Sequence, residues 1–212
     1  MNKTAIIIPS RLDAQRFPNK PLKLINNKEM ILHVYDAAIK SNTGEVYVAT
    51  PDDKIIDIVK NSGGKAIKTS LNHETGTDRI FEVFKQTLKE EPKIIINLQG
   101  DMPNIEPQAI SNLVSYMNNG KCDIGTLASD FNSRNEIDDP NAVKVAVKEK
   151  FSKNTFLNAY DFFRTSTNST YNLYHHIGIY AFTNEALLRY VSLKRSKLEL
   201  EGKLEQLRAL EN

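Results

Sequence analysis

The stretch IIIPSRLDAQRFPNKPL, Ile6 to Leu22, decides how this chain is read. A short apolar run of strand type stops at Pro9. A loop follows that holds Arg11, Arg16 and Lys20 and contains no glycine. In open parallel sheets, ligands bind where strand ends deliver backbone and side chains into a crevice. A phosphate there can be cradled by the backbone N–H groups of a glycine loop or neutralised by basic side chains. Without glycine, only the second route is open, and Pro9, Pro18 and Pro21 limit the entropy the cations lose on binding. A solvated surface loop is the other reading of the same residues.

Working outward, apolar runs of strand length alternate with segments of helical period. Strands are predicted at Ala5–Ile8, Val46–Ala49, Ala66–Lys68, Ile94–Leu98, Ile124–Leu127 and Val143–Val147, and helices near Met30–Lys40, Asp52–Asn61, Thr77–Glu90 and Pro107–Asn118. Near-continuous apolar strands separated by helices predict an α/β fold with a mostly parallel sheet covered on both faces. After about Lys148 the pattern loosens into an aromatic-rich segment with a Ser/Thr/Asn insert at Thr165–Asn172, read as a surface loop or an excursion. Leu200, Leu204 and Leu207 are expected to share one face of a last helix ending at Asn212.

Composition narrows the function classes. The 212 residues suit one large domain, and 28 Lys and Arg against 26 Asp and Glu give a net charge of +2. That balance exerts no global pull toward nucleic acid or an anionic membrane, so any electropositive site is local. The single cysteine, Cys122, excludes an internal disulfide and suits a reducing compartment. The start of the chain is too short in apolar residues for a signal peptide, and no stretch reaches transmembrane length. The expectation is a soluble cytoplasmic protein.

A second strand end sharpens the site. KIIINLQGDMP, Lys93 to Pro103, runs a buried strand into Gln99, Gly100 and Asp101. Mg²⁺ takes one or two protein carboxylates plus substrate phosphate oxygens, so an aspartate facing a cationic loop completes a nucleotide–metal site. Asp101 as a turn residue accepting backbone hydrogen bonds is the alternative. In NHETGTDRIFEVF, Thr75 or Thr77 can cap a helix with Asp78 in its first turn, and Gly76 leaves room for something flat against the backbone.

IIIPSRLDAQRFPNKPL, HETGTDRI, NLQGDMP, DPNAVKV, HHIGIYAF and LEQLRAL together resemble 3-deoxy-manno-octulosonate cytidylyltransferase, the CMP-Kdo synthetase family of Gram-negative bacteria. The resemblance covers almost the whole chain. It implies a Rossmann-like, three-layer nucleotidyltransferase fold, with residues 1–212 as one domain and a dimerisation or sugar-covering excursion at about residues 150–195. It implies that CTP and Kdo give CMP-Kdo and pyrophosphate for lipopolysaccharide biosynthesis, with Mg²⁺, in a homodimer that binds neither nucleic acid nor membrane. By motif, Arg11, Arg16 and Lys20 would hold the triphosphate, with Arg11, Lys20 and Asp101 catalytic and Asp101 on the metal. Gly76 and Thr77 would lie by the cytosine or ribose. Gln99 would contact the nucleotide and the sugar, and Arg164, His176, Tyr180, Glu205 and Gln206 the sugar, with His175 a competing choice for His176.

Departures accompany the resemblance. AYDFFRTST puts Asp161 and Phe163 where the family has tyrosine and serine, and Met102 stands where an acidic residue is common. Family chains continue past LEQLR through a strand and a Gly-Val-Asp-Thr turn whose aspartate is the second metal ligand. The expectation is therefore a chain without that part of the fold and with weakened Mg²⁺ binding. Rival expectations are a synthetase for CMP-sialic acid or amino-Kdo, and a truncated nucleotide-binding pseudoenzyme.

Overall fold

The chain forms two compact units, Met1–Gly125 with Ile179–Val191 and Thr126–Gly178 with Ser192–Asn212. The structure, a computed structural model, describes residues 3–13, 17–120, 122–152, 155–165 and 170–212. In chain order the elements are β1 (Thr4–Pro9), a small hairpin of β2 (Leu24–Ile25) and β3 (Lys28–Glu29), α1 (Met30–Lys40), β4 (Glu45–Thr50), α2 (Asp53–Asn61), β5 (Ala66–Lys68), α3 (Gly76–Glu82), β6 (Ile94–Leu98) and α4 (Pro107–Asn118). Then come β7 (Ile124–Ser129), α5 (Arg134–Asp138), β8 (Lys144–Val147), β9 (Asp161–Phe163), the long β10 (Asn172–Thr183), α6 (Asn184–Ser192), α7 (Lys197–Gly202) and α8 (Leu207–Glu211).

The first unit is built on four parallel strands in the order β5-β4-β1-β6. The last residues of β10 add antiparallel to β6, from Ile179 opposite Leu98 to Thr183 opposite Ile94. Central parallel strands are buried on both faces, which is why these runs do not alternate with polar residues. Ile6, Ile7, Ile8, Ile95 and Ile96 are fully buried, each burial contributing about 1.5–3 kcal/mol. Helix α3 packs on β1 and β6, while α1 and α4 pack on each other. The expected α/β fold with a mostly parallel sheet is the observed one.

Two helices differ from expectation. The segment predicted as Thr77–Glu90 is helical only to Glu82 and widens into a π turn over Val83–Thr87. Lys89 and Glu90 then adopt left-handed backbone, which ends the helical path. The single last helix is two helices. Lys203 turns left-handed at φ 51°, and Leu200 is 52% exposed while Leu204 and Leu207 are buried. A uniform 3.6-residue period cannot register one such residue.

In the second unit β8 lies between β9 and the start of β10, antiparallel to both, with Val145 opposite Phe162 and Tyr174. Those residues pack with Val147, Leu204 and Leu207 in one core. The α7–α8 pair is locked by charge. Glu199, 1% exposed, accepts from Arg208 Nε at 2.9 Å and Nη2 at 2.7 Å, and from Arg195 Nε at 3.0 Å. Ser196 caps α7 in a reciprocal capping box with Glu199.

Removing one partner of a buried pair strands the other charge, whereas replacing both is far cheaper. Arg208→Met is expected to destabilise the protein by about 3 kcal/mol. The double variant Glu199→Leu/Arg208→Met should cost less than the single one, as read from urea midpoints.

Candidate active site

Parallel pairing brings the carboxyl ends of β1 and β6 to the same edge of the first unit. The loop after β1 is pinned there by its backbone. Ser10 N donates to Ala49 O at 2.9 Å, Leu12 N donates to Asp52 Oδ2 at 2.8 Å, and Asn19 N donates to Leu12 O at 3.2 Å. A 3-10 turn at Lys20–Leu22, entered through left-handed Asn19, aims Lys20 back toward the end of β6. There Lys20 Nζ donates to Asp101 Oδ2 at 2.6 Å, across 81 residues of sequence.

The result is a cleft of about 280 Å³, near the lower end of small-molecule sites. Arg11, Lys20, Gln99, Gly100, Asp101, Gly76 and Arg79 are among its lining residues. Two glycines make it possible. A Cβ on Gly100 would stand 3.1 Å from Pro9 O, and one on Gly76 would stand 3.3 Å from the Pro9 ring. Side chains there would push apart the strand ends and the start of α3. Thr75 caps α3, accepting from Asp78 N at 3.1 Å while Asp78 accepts from Thr75 N at 3.1 Å.

Arg79 is a cation that the sequence reading passed over. It is 3% exposed, and its Nη1 donates to Thr69 Oγ1 at 2.5 Å and Ser70 O at 2.8 Å. Burial lowers its pKa from the usual value, and the Arg11 charge nearby adds to that. The Glu82 and Asp52 carboxylates act the other way, favouring the charged form. Ser10 was also missed. Its hydroxyl is buried at the cleft without a hydrogen-bond partner among the described residues, an arrangement that costs stability unless a ligand satisfies it. The signal for Arg79 was its place on the short helix that Thr75 caps, next to Asp78. Ser10 follows a strand-ending proline, which carries no comparable signal.

The other expected site residues fall in three groups. Arg16 lies outside the described residues. Thr77, expected beside the nucleotide, instead stands behind the cleft, 2% exposed and hydrogen-bonded by Asn97. Tyr180 is directly opposite Asn97 in the β10–β6 ladder, which puts it on the same face of the sheet. Arg164, His176, Glu205 and Gln206 belong to the second unit.

Within that unit Arg164 clamps a turn. Its Nε, Nη1 and Nη2 donate to Gly202 O at 3.3 Å, Pro140 O at 3.3 Å and Lys203 O at 3.4 Å. Three of the five guanidinium N–H groups are thereby used on backbone carbonyls. Lys144, fully buried, holds Arg164 O at 2.7 Å and Asp139 O at 2.6 Å. The clamped turn leads into Glu205 and Gln206, which sit between α7 and α8 rather than on a helix face.

His176 is buried, with Nε2 2.9 Å from Thr126 Oγ1 and its ring edge-on to Phe162 at 4.9 Å. Its neighbour His175 pairs with Glu136 at 2.8 Å. Among the described residues no group of three His, Cys, Asp or Glu side chains could hold a metal, and no helix is long and apolar enough to cross a membrane.

The mostly parallel sheet, with a cation-lined cleft at the carboxyl ends of its strands, has the α/β nucleotidyltransferase fold. The chain belongs to the cytidylyltransferase family, whose model matches residues 5–212. It is 40% identical to 8-amino-3,8-dideoxy-manno-octulosonate cytidylyltransferase of Shewanella sediminis, over 100% of this chain and 87% of that one. It is 41% identical to 3-deoxy-manno-octulosonate cytidylyltransferase of Thermodesulfovibrio yellowstonii, over 99% and 86%. A solved structure of CMP:2-keto-3-deoxy-manno-octonic acid synthetase complexed with CTP matches with a TM-score of 0.87 at 37% identity, covering 99% of this chain and 86% of that one.

Burial, with His175 adding to it, pushes the His176 imidazole down to about 4. Between about pH 6.5 and that value the unfolded chain binds the proton and the folded one does not, so stability falls as the solution is acidified. The full window corresponds to about 3 kcal/mol. Urea midpoints at pH 7 and pH 4.5 should separate less in His176→Gln than in the unsubstituted protein.

Proposed function

We propose that this chain transfers the cytidylyl group of CTP to 3-deoxy-manno-octulosonate, giving CMP-Kdo and pyrophosphate. The observation that carries this reading is the meeting of Arg11, Lys20, Arg79 and Asp101 around one cleft. The names and full-length similarity of the relatives support the choice of CTP and of the sugar.

The sugar's anomeric hydroxyl attacks the α-phosphorus. A new P–O bond forms there as the bond to the β-phosphate oxygen breaks, pyrophosphate leaves with the electron pair, and the hydroxyl's proton passes to solvent. Little covalent chemistry falls to the protein, so its contribution is alignment and charge neutralisation. Arg11 and Lys20 neutralise the triphosphate, Arg79 adds a fixed positive charge from the helix side, and Gln99 orients the sugar. Gly76 leaves space for the flat base.

Asp101 would hold Mg²⁺. A single, half-exposed carboxylate fits that ion, which completes its shell with phosphate oxygens and water. When bound, the ion would neutralise charge on the phosphate oxygens. Until then the Lys20 ammonium occupies the carboxylate, so both groups wait close to where ligand needs them. Tyr180, on the same face of the sheet as Asn97, is a proposed sugar contact. The protein would act in the cytoplasm as a homodimer, supplying activated sugar for lipopolysaccharide assembly. The Shewanella relative's name supports a second reading, the 8-amino sugar as acceptor.

Pyrophosphate release with CTP, Mg²⁺ and either sugar tests both readings. Release is expected with Kdo, and release with the amino sugar alone would select the second reading. Arg11→Ala and Asp101→Ala should each lose about a hundredfold or more in kcat with melting temperatures near that of the parent. Parent rates in both variants would sink the assignment.

A further inference from the structure

We propose that Asn97 is a positioning residue that sets which end of the Gln99 amide the cleft presents. The ligand side of this inference rests on the synthetase reading above. Asn97 is the polar residue in the apolar strand IIINL, and it is fully buried between β1 and β10. A buried amide is tolerated when its hydrogen bonds are made. Here both ends are used. Nδ2 donates to Thr77 Oγ1 at 3.1 Å, and Oδ1 accepts from Gln99 Nε2 at 3.1 Å.

Strand periodicity puts Asn97 and Gln99 on one face, two residues apart, so Asn97 stands directly behind the amide it holds. Gly76 stands close by. A Cβ there would lie 3.7 Å from both Nε2 and Oε1, an ordinary contact distance, so the amide is next to the start of α3. The amide is thus held at one edge by Asn97.

The polarity of this chain has a chemical consequence. With one Nε2 hydrogen held by Asn97, the far end of the Gln99 amide is Oε1, an acceptor that takes no hydrogen bond from the described residues. That end suits a donor, such as a sugar hydroxyl. Reversing the whole chain, with Thr77 donating to Asn97 and Asn97 to Gln99, would present N–H groups and select an acceptor. Asn97→Asp separates the two settings, because a carboxylate only accepts and therefore holds Gln99 with Oε1 outward.

The test uses the full chain labelled with ¹⁵N. The Gln99 side-chain amide pair is assigned by its disappearance in Gln99→Ala. One of its protons is expected to be protected from exchange in the parent and in Asn97→Asp, and to lose protection in Asn97→Leu. Thr77→Val, which leaves β6 untouched, should weaken that protection and covers the case in which Asn97→Leu does not fold.

In turnover with CTP and Kdo, Asn97→Leu should lower kcat/KM for the sugar about tenfold or more, with CTP affinity by calorimetry within about threefold of the parent. Asn97→Asp should recover most of the loss. The double variant Asn97→Leu/Gln99→Ala should be no slower than Gln99→Ala, because one residue acts through the other. Unchanged Gln99 signals in Asn97→Leu and Thr77→Val, or single losses that multiply in the double variant, overturn the proposal. If the parent releases no pyrophosphate, the synthetase reading fails while the amide signals still decide the role of Asn97.

Discussion

The site depends on one constraint, the parallel pairing of β1 between β4 and β6. Ile6 pairs with Val46 on one side and Ile96 on the other, so three strands run in the same direction and end at one edge. Every group in the cleft is delivered from that edge or from the start of α3, which packs on it. An antiparallel β6 would send Gln99 and Asp101 to the opposite end of the sheet. The isoleucines that hold this pairing by burial therefore also fix the functional geometry, without touching the cleft.

Charge in the cleft is arranged for binding more than for stability. Lys20 and Asp101 are 35% and 52% exposed, and an ion pair so open to water contributes little to folding. Its effect is to keep a cation and a carboxylate within reach of the same ligand. Arg79 is the reverse case, a buried guanidinium whose charge burial and Arg11 disfavour while Glu82 and Asp52 support it. Asp52 takes no part in the lining but ties down Leu12, and so keeps the Arg11 loop from being merely a solvated surface.

The second unit spends buried charge on geometry. Burial by itself would raise the Glu199 carboxyl, yet Arg208 and Arg195 hold it below its usual range. With Arg164 on the Gly202 and Lys203 carbonyls, and Lys144 on the Arg164 carbonyl, the turn before Glu205 is fastened at several points. Apolar residues of similar volume could supply comparable stability, but they would not set the turn's orientation.

Much of this was legible in the sequence because it rests on local pattern. Runs such as Ile94–Leu98 and Pro107–Asn118 have the period of their element, and cap, proline and strand-end signals lie within a few residues of what they mark. The cationic loop and Asp101 could be paired by reasoning because both follow strands of one parallel sheet. The break at Lys203, the clamp by Arg164, the burial of Thr77 and the entry of Ser10 into the cleft had no such signal. Each is a matter of which distant atoms meet, and hydrogen bonds between residues tens of positions apart leave no periodicity behind. The chain's own order of residues determined the strands, the helices and the chemistry available at their ends. Tertiary packing alone decided which of those groups face the ligand and which stand behind it, because desolvation and hydrogen-bond satisfaction act on neighbours in space.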